Sequence, residues 1–169
     1  MSIKLKHHRQ TPGFCGPASL KILLTHYGKD YSEEELSRLC DATFDFGTEH
    51  DGLVKAVKEI GGHCFTKEDA GIEDLNFFIK RDIPVIVGWW SEDIDHYSVV
   101  FNIDDENIYL MDPEKELEDD GAIVKMPIHE FDKLWYDFEG KNNDRKVLHW
   151  FMAVTFLSEK FDITGGRYC

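Results

Sequence analysis

Apolar residues recur at helical spacing through the first half of the chain and in β-branched and aromatic runs through the second. Ala18 to Tyr27 is mostly apolar, with Leu20, Leu23 and Leu24 inward and Gly28 as a stop. Ser32 and Glu35 stand at capping-box spacing and open a second helix toward Leu39. His50 to Ile60 places Leu53, Val54, Val57 and Ile60 on one face, and Gly61-Gly62 ends it. Ile72 to Lys80 is a fourth helical stretch, closed by the approach to Pro84. Pro84–Trp90, His96–Ile103 and Asn107–Met111 then read as strands divided by acidic turns, with a further short strand at Ala122–Lys125. Pro127 at a first helical position introduces a helix to about Tyr136, and Leu148–Leu157 reads as a long final strand. Helices followed by a meander of strands predict an α+β fold with an antiparallel sheet. No repeat or low-complexity linker divides the chain, so one domain is expected over residues 1–169.

Composition supports that picture and narrows the partners. Of 169 residues 42% are apolar and 13% aromatic, enough for a packed core. Asp plus Glu number 33 against 19 Lys plus Arg, a net charge of −14 that would repel nucleic-acid backbones and anionic membranes. A basic or neutral peptide remains compatible, although solubility explains the excess as well. The acidic stretch Asp104 to Asp120 reads as a solvated hairpin and loop. Met1–Gln10 has no secretory pattern and no apolar run reaches membrane-spanning length, so the expected location is cytoplasmic. Cys15, Cys40, Cys64 and Cys169 include no CxxC pair, and in a reducing compartment all four are expected as thiols.

Candidate chemistry begins at Gln10-Thr11-Pro12-Gly13-Phe14-Cys15-Gly16-Pro17-Ala18-Ser19. Cys15 lies in a Gly/Pro-rich turn just before a helix, whose unpaired N–H groups and dipole favour a thiolate, the attacking form. Gly13 and Gly16 leave the approach to sulfur uncrowded, and Gln10 offers an amide to an oxyanion beside the Cys15 N–H. A buried, inert cysteine is the competing reading. Among eight histidines, His96 differs in starting an apolar strand after the polar run Ser91–Asp95, which fixes its ring near a cleft. The others stand in a polar terminus, near helix ends or beside turns, and none has metal-ligand spacing with a cysteine. Asp112-Pro113 follows the next strand. If that strand and the His96 strand form a hairpin about Asp104–Glu106, Asp112 returns beside His96, where a carboxylate fixes the imidazole tautomer. An Asp-Pro turn with no further role is the alternative.

A nucleophile at a helix start, a base at one strand end and an orienting carboxylate at the next is the chain order of papain-like enzymes. The chain resembles the bacteriocin-processing, double-glycine-leader cysteine peptidases and their stand-alone relatives. The matching residues are Gln10 and Cys15-Gly16-Pro17-Ala18, then Gly47-Thr48 with Leu53, Ala56 and Gly61-Gly62, then His96-Tyr97-Ser98-Val99-Val100 and Asp112-Pro113. The resemblance implies a papain-like fold, Gln10 in the oxyanion hole, Cys15 as nucleophile, His96 as base, Asp112 as orienter, and no metal or organic cofactor. It implies a peptide or amide substrate met by Gly13, Phe14, Gly16, Trp90 and Asp95. Of the adjacent Trp89 and Trp90, alternation sends one to the core and leaves the other for the cleft. The chain has no membrane segment and no GxxxxGK[ST] loop, unlike relatives that front a transporter. Acyl transfer of the phytochelatin-synthase type and a non-catalytic peptide-binding module are the alternatives on the same scaffold. Leaders cut by the resembled family end in two glycines, and this chain carries Glu159, Ile163 and Gly165-Gly166 at matching places. Its tail is therefore a candidate occupant of the cleft, as self-substrate or inhibitor.

Overall fold

A computed structural model of the protein describes residues 2–116 and 122–169. The last part of the acidic stretch expected as a loop, residues 117–120, lies outside the described residues. Helices α1 (Cys15–Thr25), α2 (Glu33–Leu39) and α3 (His50–Glu59) come first, then β1 (His63–Lys67) and α4 (Ile72–Ile79). There follow β2 (Val85–Ser91), β3 (Ile94–Ile103), β4 (Asn107–Met111), β5 (Ile123–Pro127) and α5 (Ile128–Leu134). The chain closes with β6 (Tyr136–Glu139), β7 (Arg145–Leu148), β8 (Phe151–Thr155) and β9 (Arg167–Tyr168).

The large sheet runs β5-β4-β3-β2-β8-β1-β9 with antiparallel neighbours, and β6 and β7 form a separate ribbon. Both faces of the large sheet are covered, which is why its strands read as continuous apolar runs rather than as alternation. Ile86, Val99, Met152 and Val154 pack with Leu20, Leu23 and Leu24 of α1 and Leu53 of α3. Their strand neighbours Val85, Val87, Val100 and Ala153 pack with Leu75 and Phe78 of α4 and Phe131 of α5. Each of these side chains larger than alanine stabilises the fold by about 1.5–3 kcal/mol on burial. The expected α+β, antiparallel architecture is the observed one.

Several boundaries differ from expectation for local reasons. α1 begins at Cys15 rather than Ala18, because Pro17 fits the first helical turn, where an N–H is not needed. Glu92 and Asp93 have φ of 49° and 67°, making the two-residue hairpin turn whose twist matches the flanking strands. The polar run Ser91–Asp95 is thus the tip of a β2–β3 hairpin, and β3 starts at Ile94. Pro127 closes β5 and α5 starts one residue later. The expected long strand Leu148–Leu157 is broken at His149, which sits at φ 51°, into β7 and β8.

Two expectations are overturned. Cys64 and Cys169 form a disulfide, leaving Cys15 and Cys40 as the thiols. The cause is strand pairing: Cys64 and Cys169 exchange backbone hydrogen bonds of 2.8 Å in each direction, which no spacing in the sequence indicates. The tail does not occupy the cleft, because β9 pairs with β1 at the sheet edge. Four strand steps separate it from β3, roughly 19 Å at the usual spacing. Phe161 and Ile163 pack against the core there, and Gly166 lies so close to Phe65 that a Cβ would fall 2.0 Å from its ring.

Candidate active site

Cys15, His96 and Asp112 are brought together by one helix and two paired strands. Ser19 of α1 donates its hydroxyl to the Tyr97 carbonyl of β3 at 3.1 Å, which sets the start of α1 beside His96. The β3–β4 register pairs Val99 with Met111, so one step further Asp112 stands diagonally across from His96 on the same face. His96 Nε2 lies 2.7 Å from Asp112 Oδ1, and that oxygen also accepts the Glu114 N–H at 2.9 Å. Both side chains are about 1% exposed. With Nε2 engaged, the hydrogen bond between the ring and the Cys15 thiol falls to Nδ1.

Electrostatics favours a charged ring and a charged carboxylate. Burial disfavours imidazolium, but the hydrogen bonds and charges of Asp112 and Cys15 outweigh it and push His96 up to about 10. Burial likewise works against the Asp112 carboxylate, and the hydrogen bond and charge of His96 overcome it, leaving that carboxyl below its ordinary value. At the start of α1, Pro17 has no N–H and Ala18 N–H is bonded to the Phe14 carbonyl at 3.1 Å. The amides left to meet an anion are those of Cys15 and Gly16.

Gln10 is held in place by its backbone. Its N–H donates to the Pro113 carbonyl at 2.7 Å, and the His7 ring contacts the Asp112 carbonyl at 2.9 Å. Residues 7–10 are thereby stitched to the turn after β4. Gln10 lines a cleft of about 630 Å³ with Gly13, Cys15, Asp95 and His96, and its Oε1 is buried without a partner among the described residues. Three of the residues proposed for substrate lie elsewhere. Phe14 is the half-buried residue ahead of α1. Gly16 is buried under Thr48, where a Cβ would come within 2.7 Å of that side chain. Trp90 stacks on Tyr136 with centroids 5.6 Å apart, beside a smaller cavity shared with Ile94 and Asp95. The sequence reading missed the mouth of the cleft, where Phe44, Phe46 and Ile94 are 69%, 60% and 52% exposed. The sequence marks Phe44 and Phe46 only as two phenylalanines in the short run Phe44-Asp45-Phe46-Gly47, and their exposure at a cleft is visible only in the fold.

A second buried group lies behind the cleft. His50 Nε2 is 2.6 Å from Asp137 Oδ2 and 3.4 Å from Glu139 Oε1, while the His50 ring stacks on Trp150. Burial and the neighbouring Glu49 push Glu139 up to about 9, and burial with Asp137 pushes Asp95 up to about 6. Asp95 Oδ1 accepts the Phe138 N–H at 3.0 Å, linking the cleft wall to this group.

Comparison with known proteins agrees with the fold and the segment carrying the site. The family model described as "Peptidase C39 family" matches residues 6–138. A pediocin PA-1 transport/processing ATP-binding protein of Pediococcus acidilactici is 31% identical over 124 residues, covering 72% of this chain and 16% of that protein. An uncharacterized protein of Methanothermobacter marburgensis is 35% identical over 106 residues, 62% of this chain and 69% of that one. The crystal structure of a double glycine motif protease from a transporter, in complex with its leader peptide, superposes with a TM-score of 0.63 at 23% identity. That match covers 90% of this chain and 92% of the other. The chain thus spans about a sixth of the length of the transport protein it matches. Among the described residues no helix is long and apolar enough to cross a membrane.

Proposed function

Because the chain belongs to the Peptidase C39 family and is a papain-like cysteine peptidase, we propose that it cleaves a peptide bond through Cys15, with His96 as base and Asp112 as its orienting partner. The observation that carries this reading is the placement of the His96 ring between Asp112 Oδ1, at 2.7 Å, and the Cys15 thiol, at the edge of an open cleft. In the proposed cycle the Cys15 proton passes to His96 and the sulfur attacks the scissile carbonyl carbon. The oxyanion that forms meets the Cys15 amide and the Gln10 side chain. Collapse breaks the C–N bond, the imidazolium proton goes to the leaving amine, and the acyl group stays on sulfur as a thioester. Water, deprotonated by His96, then attacks the thioester and releases a carboxylic acid and the free thiol. Asp112 stays ionised through the cycle, fixing the tautomer when the His96 ring is neutral and stabilising the imidazolium when it forms.

Gly13 and Asp95 are the substrate contacts that the cleft supports, joined by Phe44, Phe46 and Ile94 at its mouth. The solved relative bound to a leader peptide makes an extended peptide the substrate class to test first. The test is incubation with a peptide library that includes sequences bearing Gly-Gly, read by mass spectrometry, for the wild type and Cys15→Ala. Cleavage by the wild type alone supports the assignment, and equal cleavage by both removes it. A product conjugated to added glutathione in place of a free acid would favour acyl transfer.

A further inference from the structure

His50, Asp137 and Glu139 form a buried cluster outside the cleft, built from two elements. His50 is the first residue of α3, and Asp137 and Glu139 stand two apart on β6, so both carboxylates project to one face. The three ligand atoms lie within 4.8 Å of one another. A tetrahedral ion bound at about 2.0–2.2 Å sets its ligands roughly 3.3 Å apart. The 3.4 Å between His50 Nε2 and Glu139 Oε1 already meets that spacing, and the 2.6 Å to Asp137 Oδ2 needs to open by about 0.7 Å.

A separate observation points to a missing ligand. The Asp137 side chain is 4% exposed, and its other oxygen, Oδ1, is buried with no hydrogen-bond partner among the described residues. A carboxylate oxygen stripped of water and given nothing in exchange is costly. The β2 strand makes room for this carboxylate, since a Cβ on Gly88 would lie 2.2 Å from Asp137 Oδ2. Arg145 and Lys67, which line the adjoining cavity, pair with Glu68 at 3.1 Å and with Asp74 at 2.8 Å. That cavity, of about 480 Å³ and lined by His50, Glu139 and Trp150, provides the way in.

We propose that His50, Asp137 and Glu139 bind one divalent transition-metal ion of the zinc type, through one imidazole nitrogen and two carboxylates. The nitrogen ligand disfavours calcium and magnesium, which prefer oxygen. The bound ion fastens the start of α3 to the β6–β7 ribbon, whose connecting turn supplies Gly140, Lys141 and Asn143 to the cleft wall. It is a positioning ion, since none of its three ligands lines the cleft that holds Cys15.

The test uses the full chain carrying Cys15→Ala, so that the cleft thiol does not compete for metal. Zinc is titrated by calorimetry and cobalt by visible absorption, and melting is followed with and without zinc. One ion per chain, binding weakened more than tenfold by Asp137→Asn or Glu139→Gln, and a rise in Tm with zinc that either substitution removes is the expected result. Absence of stoichiometric binding overturns the proposal. So does binding that both carboxamide variants retain, which would place the ion on other histidines such as His7 and His8. If Asp137→Asn does not fold, Glu139→Gln decides alone, and a zinc-induced rise in Tm equal to the parent's overturns the site.

Discussion

Two buried histidines of this chain each hold an aspartate through Nε2, at 2.7 Å for His96 and Asp112 and at 2.6 Å for His50 and Asp137. They differ in what meets the other face of the ring and in how much charge surrounds the pair. His96 has the Cys15 thiol at its second nitrogen and one carboxylate for partner. Among the described residues His50 Nδ1 is buried without a partner, and Glu139 and Glu49 crowd carboxyls around the pair, which holds Glu139 up at about 9. An imidazole–carboxylate pair is therefore not by itself a catalytic feature. The first is balanced and opens on the proposed nucleophile, whereas the second gathers more carboxyls than one imidazole can balance and suits a cation.

The widest separation between the pairs is expected in turnover. His96→Ala removes the proposed base and should lower kcat by about 10³-fold or more, and Asp112→Asn by about 10²–10⁴-fold. Asp137→Asn touches no reacting atom and should change kcat by only a few-fold. Equal losses from Asp112→Asn and Asp137→Asn, measured on one peptide with folding checked by circular dichroism, would erase the distinction.

Alkylation sharpens the same contrast at the sulfur. Burial pushes the Cys40 thiol up to about 12, and Cys64 and Cys169 are joined. Iodoacetamide near neutral pH should modify Cys15 on the order of 100-fold faster than Cys40. Without a reductant it should leave Cys64 and Cys169 untouched. His96→Ala should slow the Cys15 reaction. Peptide mapping of the modified protein reads all of these, and comparable rates at Cys15 and Cys40 would count against an activated nucleophile.

Stability should separate the pairs by sign. His96, held up at about 10, contributes stability that is full below its ordinary 6.5 and lost as pH climbs through about 10. Asp112, held below its ordinary value, contributes stability above that value that is lost as pH falls through the lowered one. The deficit of Asp112→Asn, roughly 1–3 kcal/mol, should thus be widest between about pH 4 and 6.5 and shrink on either side. In the presence of chelator, Glu139→Gln should instead raise Tm, increasingly as pH climbs from about 4.5 toward 9, because it removes the cost of keeping a crowded carboxyl protonated. Thermal melts across pH check both, and a pH-independent Asp112→Asn deficit would break the linkage.

How far these regions were legible in the sequence follows from their physics. That Cys15, His96 and Asp112 come together could be anticipated because each sits at or near the end of an element with a plain apolar signature, and α1, β3 and β4 follow the chain in order. β6 was missed because its alternation is inverted: Asp137 and Glu139 are buried while Tyr136 and Phe138 are half-exposed. An inward acidic face contradicts the pattern by which strands are recognised. The Cys64–Cys169 link joins residues 105 apart through pairing at a sheet edge, which local spacing does not encode. The Gly-Gly tail matched a motif, yet β9 and Cys169 fasten it to β1 while Phe161 packs on Phe77 and Phe78 of α4, a tertiary choice no short motif contains.

The smallest expected effect concerns the open side of the balanced pair. Phe44 and Phe46 stand 69% and 60% exposed on the short loop closed by the Thr43–Gly47 bridge, and both line the cleft that holds Cys15 and His96. Solvent gains nothing from two bare phenyl rings, so a peptide side chain laid against them recovers burial worth about 25 cal/mol per Å² covered. Neither ring reaches the reacting atoms, so this contribution is alike in bound substrate and transition state and belongs to KM rather than kcat. Phe44→Ala has a complication, because the Phe44 ring lies 3.3 Å from the place a Gly13 Cβ would take and helps shape the loop before Cys15. Phe46→Ala is the cleaner probe. With a peptide carrying an apolar residue near the cut, it should raise KM by about 3- to 10-fold and leave kcat within two-fold. With the apolar residue replaced by Ser the two enzymes should converge. A fall in kcat with KM unchanged would instead assign the loop to arranging the nucleophile, and would move Phe46 from the side of binding to the side of the Cys15–His96 geometry.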